Sequence, residues 1–269
     1  MAAAASARHP PRRKRFGQHF LHDPAVIARI VRALEPRAGE HLVEIGPGRG
    51  ALTAHLLECH GCTLDAIEID RDLAARLRER FAGSPVRVLH ETDVLQFDFQ
   101  ALARARGGRL RIVGNLPYNI STPLLFHLLA ASPAIEDLTV MLQREVVARL
   151  TARPGGRDYG RLTVMLAPAA EVERLFDVGP GAFQPPPRVW SAVARLTLRA
   201  VPLFAVSPRY AALVAAAFAQ RRKTLRNALS QLLTREQISA CGIDPAARPE
   251  TLTPAGFNTL AQALDRACR

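Results

Sequence analysis

Lysine is nearly absent from this 269-residue chain: only Lys14 and Lys223 stand against 34 arginines. Such a bias explains why basic positions are arginine, but not where they cluster. Cysteine is scarce too. Cys59, Cys62, Cys241 and Cys268 are too few to form a disulfide framework in a chain this long, so the fold must rest on an apolar core, and a reducing, cytoplasmic setting is expected. Cys59-His60-Gly61-Cys62 has C-x-x-C spacing, but no second ligand pair stands at metal spacing and no histidine follows the second cysteine, so no metal is expected. Long apolar runs are missing as well. The longest candidate, Ala211 to Ala219, is short and alanine-rich, well below the roughly 18 residues of a membrane span, and a membrane partner is not expected.

Acids are missing from the first 22 residues, which hold five arginines and lysines, while residues 201–269 hold nine against four acids. These flanks carry most of the net charge of +12, and the middle of the chain is nearly neutral. A neutral body between basic flanks suits a phosphate-rich partner, because each neutralised phosphate releases counterions regardless of base sequence. Nucleic acid is therefore the expected partner.

What is present is a hydrophobic fraction of 48%, enough to build one large domain and a small one. Residues 1–15, rich in Ala, Arg and Pro, read as a disordered basic arm and share their composition with transit peptides. Asp23-Pro24 predicts a helix start, with the helix running to about Leu34 as a lid against the fold. From Glu40, strands and helices alternate: strands over Leu42–Ile45, Leu64–Ile69, Val86–Leu89, Leu110–Val113, Leu138–Leu142, Leu162–Ala167 and Ser191–Leu198, with helices over 51–58, 71–81, 123–130 and 145–151. This pattern implies an α/β fold with a doubly wound sheet over residues 16–200. After Val201-Pro202 the spacing changes to four short helices, with Thr234/Gln237 as a capping box, so residues 201–269 read as a small all-α domain.

Glu44-Ile45-Gly46-Pro47-Gly48-Arg49-Gly50 sits where the first strand meets its helix. Glycines there let backbone approach a ligand, although this pattern alone serves a dinucleotide, S-adenosylmethionine or a tight turn equally well. Glu68, at the end of the second strand, is placed to accept both hydroxyls of a ribose. Asp93, just past the third, is placed to accept from an exocyclic amine. The fourth strand then delivers Asn115-Leu116-Pro117-Tyr118: an amide, a rigid X-Pro bond and an aromatic ring in four residues. All lie at the carboxyl ends of strands, where such folds bind ligands.

In these segments, with Phe16–Leu21, Ala182–Pro187 and Phe218–Ala228, the chain resembles the ribosomal RNA adenine N6,N6-dimethyltransferase family, most closely its bacterial small-subunit branch, from about Arg13 onward. The resemblance implies a class I methyltransferase fold and S-adenosyl-L-methionine as cofactor, contacted by His19, Leu21, Gly46, Glu68, Asp93 and Asn115. His19 departs from the asparagine common at that position. It also implies that two methyl groups go to N6 of each of two adjacent adenosines near the 3′ end of small-subunit (16S) rRNA, within the immature 30S subunit, by a protein acting as a monomer.

An N6 amine is a poor nucleophile because its lone pair is delocalised, so the enzyme must orient that lone pair rather than supply a strong base. The Asn115 side-chain oxygen and the Leu116 carbonyl are the expected acceptors, Pro117 fixes the carbonyl, and Tyr118 either stacks on the base or supports Pro117. Phe183 is expected as the opposite wall of the base site. Arg221, Arg222, Lys223 and Arg226 begin a helix expected to contact phosphates. Trp190 replaces the family's usual acid and is expected to fill core rather than to stack on RNA. A large-subunit methylase and an RNA-binding assembly factor without turnover are the alternative functions.

Overall fold

A computed structural model describes residues 18–84, 86–220 and 222–267. The basic arm over 1–15 and Arg221 lie outside the described residues.

In chain order the elements are β1 (Phe20–Leu21), α1 (Pro24–Leu34), β2 (His41–Ile45), α2 (Ala51–Leu56), β3 (Thr63–Glu68), α3 (Arg71–Arg80), β4 (Val86–Glu91), α4 (Phe99–Arg106) and β5 (Leu110–Asn115). There follow α5 (Ser121–Ala130), β6 (Ile135–Gln143), α6 (Arg144–Leu150), α7 (Arg161–Leu166), β7 (Ala170–Val178), β8 (Phe183–Gln184) and β9 (Ser191–Leu198). The chain closes with α8 (Tyr210–Ala219), α9 (Leu225–Ala228), α10 (Arg235–Ala240) and α11 (Pro254–Ala267).

Seven strands form one sheet in the order β4-β3-β2-β5-β6-β9-β7, and β1 pairs with β8 in a separate two-stranded sheet. The first five strands of that order are parallel, and β9 runs antiparallel to both of its neighbours, β6 and the edge strand β7. Side chains alternate across a strand, and the core divides accordingly. Val43, Ile112 and Val140 meet α4, α5 and α6 on one face, through Phe99, Leu124 and Val147. Leu42, Val113 and Met141 meet α1 and α2 on the other, through Ile27, Ile30, Leu34 and Leu56. Buried on its inner side, α1 is thus part of the core rather than a lid. Asp23 caps it as its position predicts, accepting from the Ala25 and Val26 amides at 2.8 and 3.2 Å.

One strand of the sequence reading is a helix. Residues 161–166 form α7, although Thr163 and Val164 are β-branched. The Gly160 N–H donates to Thr163 Oγ1 at 3.3 Å, Leu166 enters the sheet core, and Val164 enters a third cluster with Tyr210, Leu213 and Phe257. Tertiary burial on two sides overrides the local preference. That third cluster also joins α8 to α11, and the Tyr159 hydroxyl donates to the Leu252 carbonyl at 2.8 Å. The Thr234/Gln237 capping box forms, with both of its bonds in place at 2.7 and 3.2 Å.

Candidate active site

Strands β2, β3, β4 and β5 end side by side, and their carboxyl ends open into a cavity of about 250 Å³ lined by Gly46, Glu68, Asp93 and Asn115 through Ile120, among others. The floor is set by close backbone passages. Gly114 lets β5 run close beside the end of its parallel neighbour β2, since a Cβ there would lie 2.4 Å from the Ile45 carbonyl oxygen. Gly48, at φ +58°, lies under the Phe20 ring, which a Cβ would meet at 3.0 Å. The Arg49 guanidinium also lies over the Phe20 ring, 4.5 Å from its centroid.

Glu68 is buried, at 4% exposure. Its Oε2 accepts the Gly48 N–H at 3.1 Å and its Oε1 the Asp70 N–H at 3.0 Å, so the carboxylate is aimed while each oxygen keeps a free lone pair. Burial raises its pKa, the backbone amides of Asp70, Gly48 and Ile69 oppose the rise, and the Asp70 charge adds to it. Asp93 caps a single 3₁₀ turn through Oδ1, which accepts the Leu95 N–H at 2.9 Å. Behind Glu68, Glu44 is sealed at 2% exposure, with Thr53 Oγ1 donating to Oε2 at 2.6 Å.

Asn115 is the last residue of β5 rather than part of the loop beyond it. Its Nδ2 donates to the His19 carbonyl at 3.0 Å, whereas its Oδ1 is sealed from solvent and has no partner among the described residues. An orphaned buried acceptor costs about 1–3 kcal/mol, a cost retained at sites that a ligand completes. The Leu116 N–H bonds to the Met141 carbonyl at 3.1 Å, which carries the sheet ladder past Asn115 and fixes the Leu116 peptide, and no described donor bonds to the Leu116 carbonyl. Tyr118 hydrogen-bonds Ser191 Oγ at 2.6 Å and presents its ring to the cavity. Burial raises the pKa of its phenol above the ordinary value.

The structure therefore brings together His19, Gly46, Glu68, Asp93 and Asn115–Tyr118. It does not bring Phe183 to them. Phe183 is 2% exposed, pairs with Leu21 across β1 and β8, and packs among Leu21, Ile27 and Val178 in the core. A proline-flanked aromatic reads like a stiff loop residue, but its strand partner makes it core. Leu21 lies beside it, lining only a small recess behind the cavity. The His19 ring is turned to the Pro185 carbonyl, with Nδ1 at 2.7 Å, and lies 6.0 Å from the Tyr118 ring. Trp190 is not core filler, being 48% exposed. Arg222 and Lys223 lie in the turn between α8 and α9, closed by the Lys223 N–H to the Gln220 carbonyl at 2.9 Å, and only Arg226 is helical. All three are exposed.

Gln18, Phe20, Ile45, Ile67, Ile69 and Ile120 also line the cavity. Sequence reasoning missed them, although Ile69, 46% exposed beside the buried Glu68, follows from strand alternation at a carboxyl end.

The family model for ribosomal RNA adenine dimethylase matches residues 11–266. The chain belongs to the ribosomal RNA adenine dimethylase family. Among its relatives are the Ribosomal RNA small subunit methyltransferase A of Nitrosococcus oceani, 57% identical over 90% of this chain and 91% of the relative, and that of Pseudomonas aeruginosa, 55% identical over 94% of both. Of solved structures, the 23S rRNA methyltransferase ErmE superposes with a TM-score of 0.70 at 32% identity, over 91% of this chain and 99% of ErmE. A dimethyladenosine transferase from Plasmodium falciparum, 22% identical, shares the fold at a TM-score of 0.76 over 92% of this chain and 98% of its own. The chain is thus a dimethylase-family methyltransferase whose mostly parallel sheet, with helices on both faces, is that of its family.

Proposed function

We propose that this protein transfers methyl groups from S-adenosyl-L-methionine to N6 of two adjacent adenosines near the 3′ end of small-subunit rRNA during 30S assembly. The cavity fits that cofactor. Glu68, buried and aimed with a lone pair free on each oxygen, suits a ribose diol, Asp93 suits an adenine amine, and the apolar Ile67 and Ile69 suit the base between them. When bound, the cofactor supplies an activated sulfonium methyl.

The chain's own task is orientation. The orphaned Asn115 Oδ1 is the single observation that carries this reading, because it is an unsolvated acceptor left without a donor, one residue before the Leu116 carbonyl. If both accept from the N6 amine, the nitrogen becomes more tetrahedral and its lone pair is directed, with no strong base needed. Reaching these groups requires the adenosine to leave its stack, and the Tyr118 ring offers a face to receive it. Residues 16–200 would then form the catalytic domain and residues 201–269 an RNA-binding domain, with Arg222, Lys223 and Arg226, together with Arg221, touching phosphates. The small-subunit target is supported by the names of the curated relatives. A protein of this kind would work as a monomer in the cytoplasm, and no helix among the described residues is long and apolar enough to cross a membrane.

The test is mass analysis of ribosomal RNA from cells with and without the protein, together with the variant Asn115→Ala. Dimethyladenosine should vanish from small-subunit RNA without the protein. The variant should lose about 10²-fold or more in transfer rate while RNA binding stays within several-fold. Transfer by Asn115→Ala at the wild-type rate would refute the orienting role.

A further inference from the structure

Trp190 stands immediately before Ser191, the residue whose hydroxyl holds Tyr118 at 2.6 Å. The two side chains differ in burial, for Ser191 opens β9 fully buried and Trp190, just before the strand, is 48% exposed. The indole is nonetheless held in place. Its six-membered ring lies against Gly179, where a Cβ would meet Cη2 at 3.6 Å, and the Arg144 guanidinium sits 5.7 Å from its centroid. The Trp190 carbonyl accepts the Arg144 N–H at 2.9 Å, which ties the end of β6 to the start of β9. Arg144 and Arg188 are exposed, neither pairs with a carboxylate among the described residues, and Val189 is 44% exposed. A fixed, half-exposed indole with the unpaired Arg144 guanidinium over it therefore stands at the end of the sheet where β5 delivers Asn115, next in sequence to the Ser191 that anchors Tyr118.

We propose that Trp190 is a stacking platform for the nucleotide next to the target adenosine, with Arg144 on its phosphate. This rests on the function proposed above. Once the target base is extruded toward Asn115, one face of its neighbour loses its stacking partner, and an indole one residue from the Tyr118 anchor can replace that partner. The Arg144 guanidinium at the ring, the exposed Arg188 two residues away in sequence and the net charge of +12 favour RNA over a protein partner. The site selects single-stranded or looped RNA and is indifferent to the identity of the stacked base.

Trp190 is the only tryptophan in the chain, so its emission reports this one position. The full-length protein is titrated with a short single-stranded oligoribonucleotide containing two adjacent adenosines, with binding followed independently by gel shift. Indole emission should be quenched in step with binding. In methylation assays on immature 30S subunits, Trp190→Ala should raise KM for RNA about tenfold with a smaller effect on kcat, and Trp190→Phe should restore most of the loss. Unchanged emission at saturating RNA overturns the platform. So does quenching by whole subunits but not by RNA, which would place a ribosomal protein on this face. If the wild-type protein methylates no small-subunit RNA, the function proposed above fails and the platform falls with it. Methylation with a silent Trp190 removes the platform alone.

Discussion

Replacing Glu44 by glutamine tests the electrostatics beneath the cavity. Glu44 is 2% exposed, and burial, reinforced by the charge of Glu68 and opposed by the Thr53 hydroxyl, pushes its carboxyl from 4.5 up to about 7. Between those values the folded chain holds a proton that the unfolded chain has released. The group's contribution to stability is therefore fully present below about 4.5 and is lost as pH rises through about 7. A tenfold change in proton affinity corresponds to about 1.4 kcal/mol, so integration gives a loss of about 2–3 kcal/mol between about pH 5 and pH 8 from this residue alone. Glutamine keeps an acceptor for Thr53 Oγ1 and carries no titrating proton. In urea unfolding followed by circular dichroism, Glu44→Gln should match the wild type near pH 5 and exceed it by about 2 kcal/mol at pH 8. Parallel pH profiles for the two proteins would refute the reasoning, for they would mean that water or a rearranged neighbour already solvates the carboxylate.

Three further outcomes follow from the geometry. Tyr118→Phe removes a 2.6 Å bond to Ser191 yet keeps the ring, so methyl transfer should stay within several-fold, while Tyr118→Ala should cost about tenfold or more in KM for RNA; equal losses would make Tyr118 a mere prop for Pro117. Arg111 is buried between Asp137, bound bidentately at 3.0 and 2.7 Å, and Glu40 at 2.6 Å. Arg111→Met strands both acids and should lower stability by about 3–5 kcal/mol in thermal or urea unfolding. Replacing Arg222, Lys223 and Arg226 by alanine should weaken RNA binding and flatten its dependence on salt, by about one unit of slope for each phosphate no longer neutralised, and an unaltered slope would mark the cluster as solvated surface.

Much of the site was legible because its signals are local. A glycine turn, an acid at the end of each following strand and Asn115-Leu116-Pro117-Tyr118 lie in chain order, and the parallel sheet converts that order into adjacency. The apolar runs of β2, β3, β5 and β6 read clearly because both faces of those strands are covered. Edge strand β7 was missed because Glu171, Glu173 and Arg174 interrupt it, as befits the last strand of the sheet with half its surface in solvent. Helix α4, capped by Asp98, was missed because it turns only Phe99 and Leu102 inward. The helix in place of the strand expected at 162–167 and the burial of Phe183 outside the cavity lining have one reason: each is decided by partners far away in sequence, the α8–α11 cluster for Val164 and Leu21 for Phe183. Trp190 erred in the opposite direction. Its size suggested burial, but it stands just outside the strand that Ser191 begins.

The pairing of Phe20 with Gln184 and of Leu21 with Phe183 joins the first strand of the chain to the last but one. Translated from the N-terminus, the chain exposes its glycine turn, Glu68, Asp93 and Asn115 well before the segment that steadies Gln18, His19 and Phe20 over them has been made. A nascent chain stopped short of β8 would hold every polar group of the cavity and lack its anchored roof. Completion of the site is thus coupled to the synthesis of β8, and the two short strands act as a clasp that can close only after every strand lining the cavity has been made.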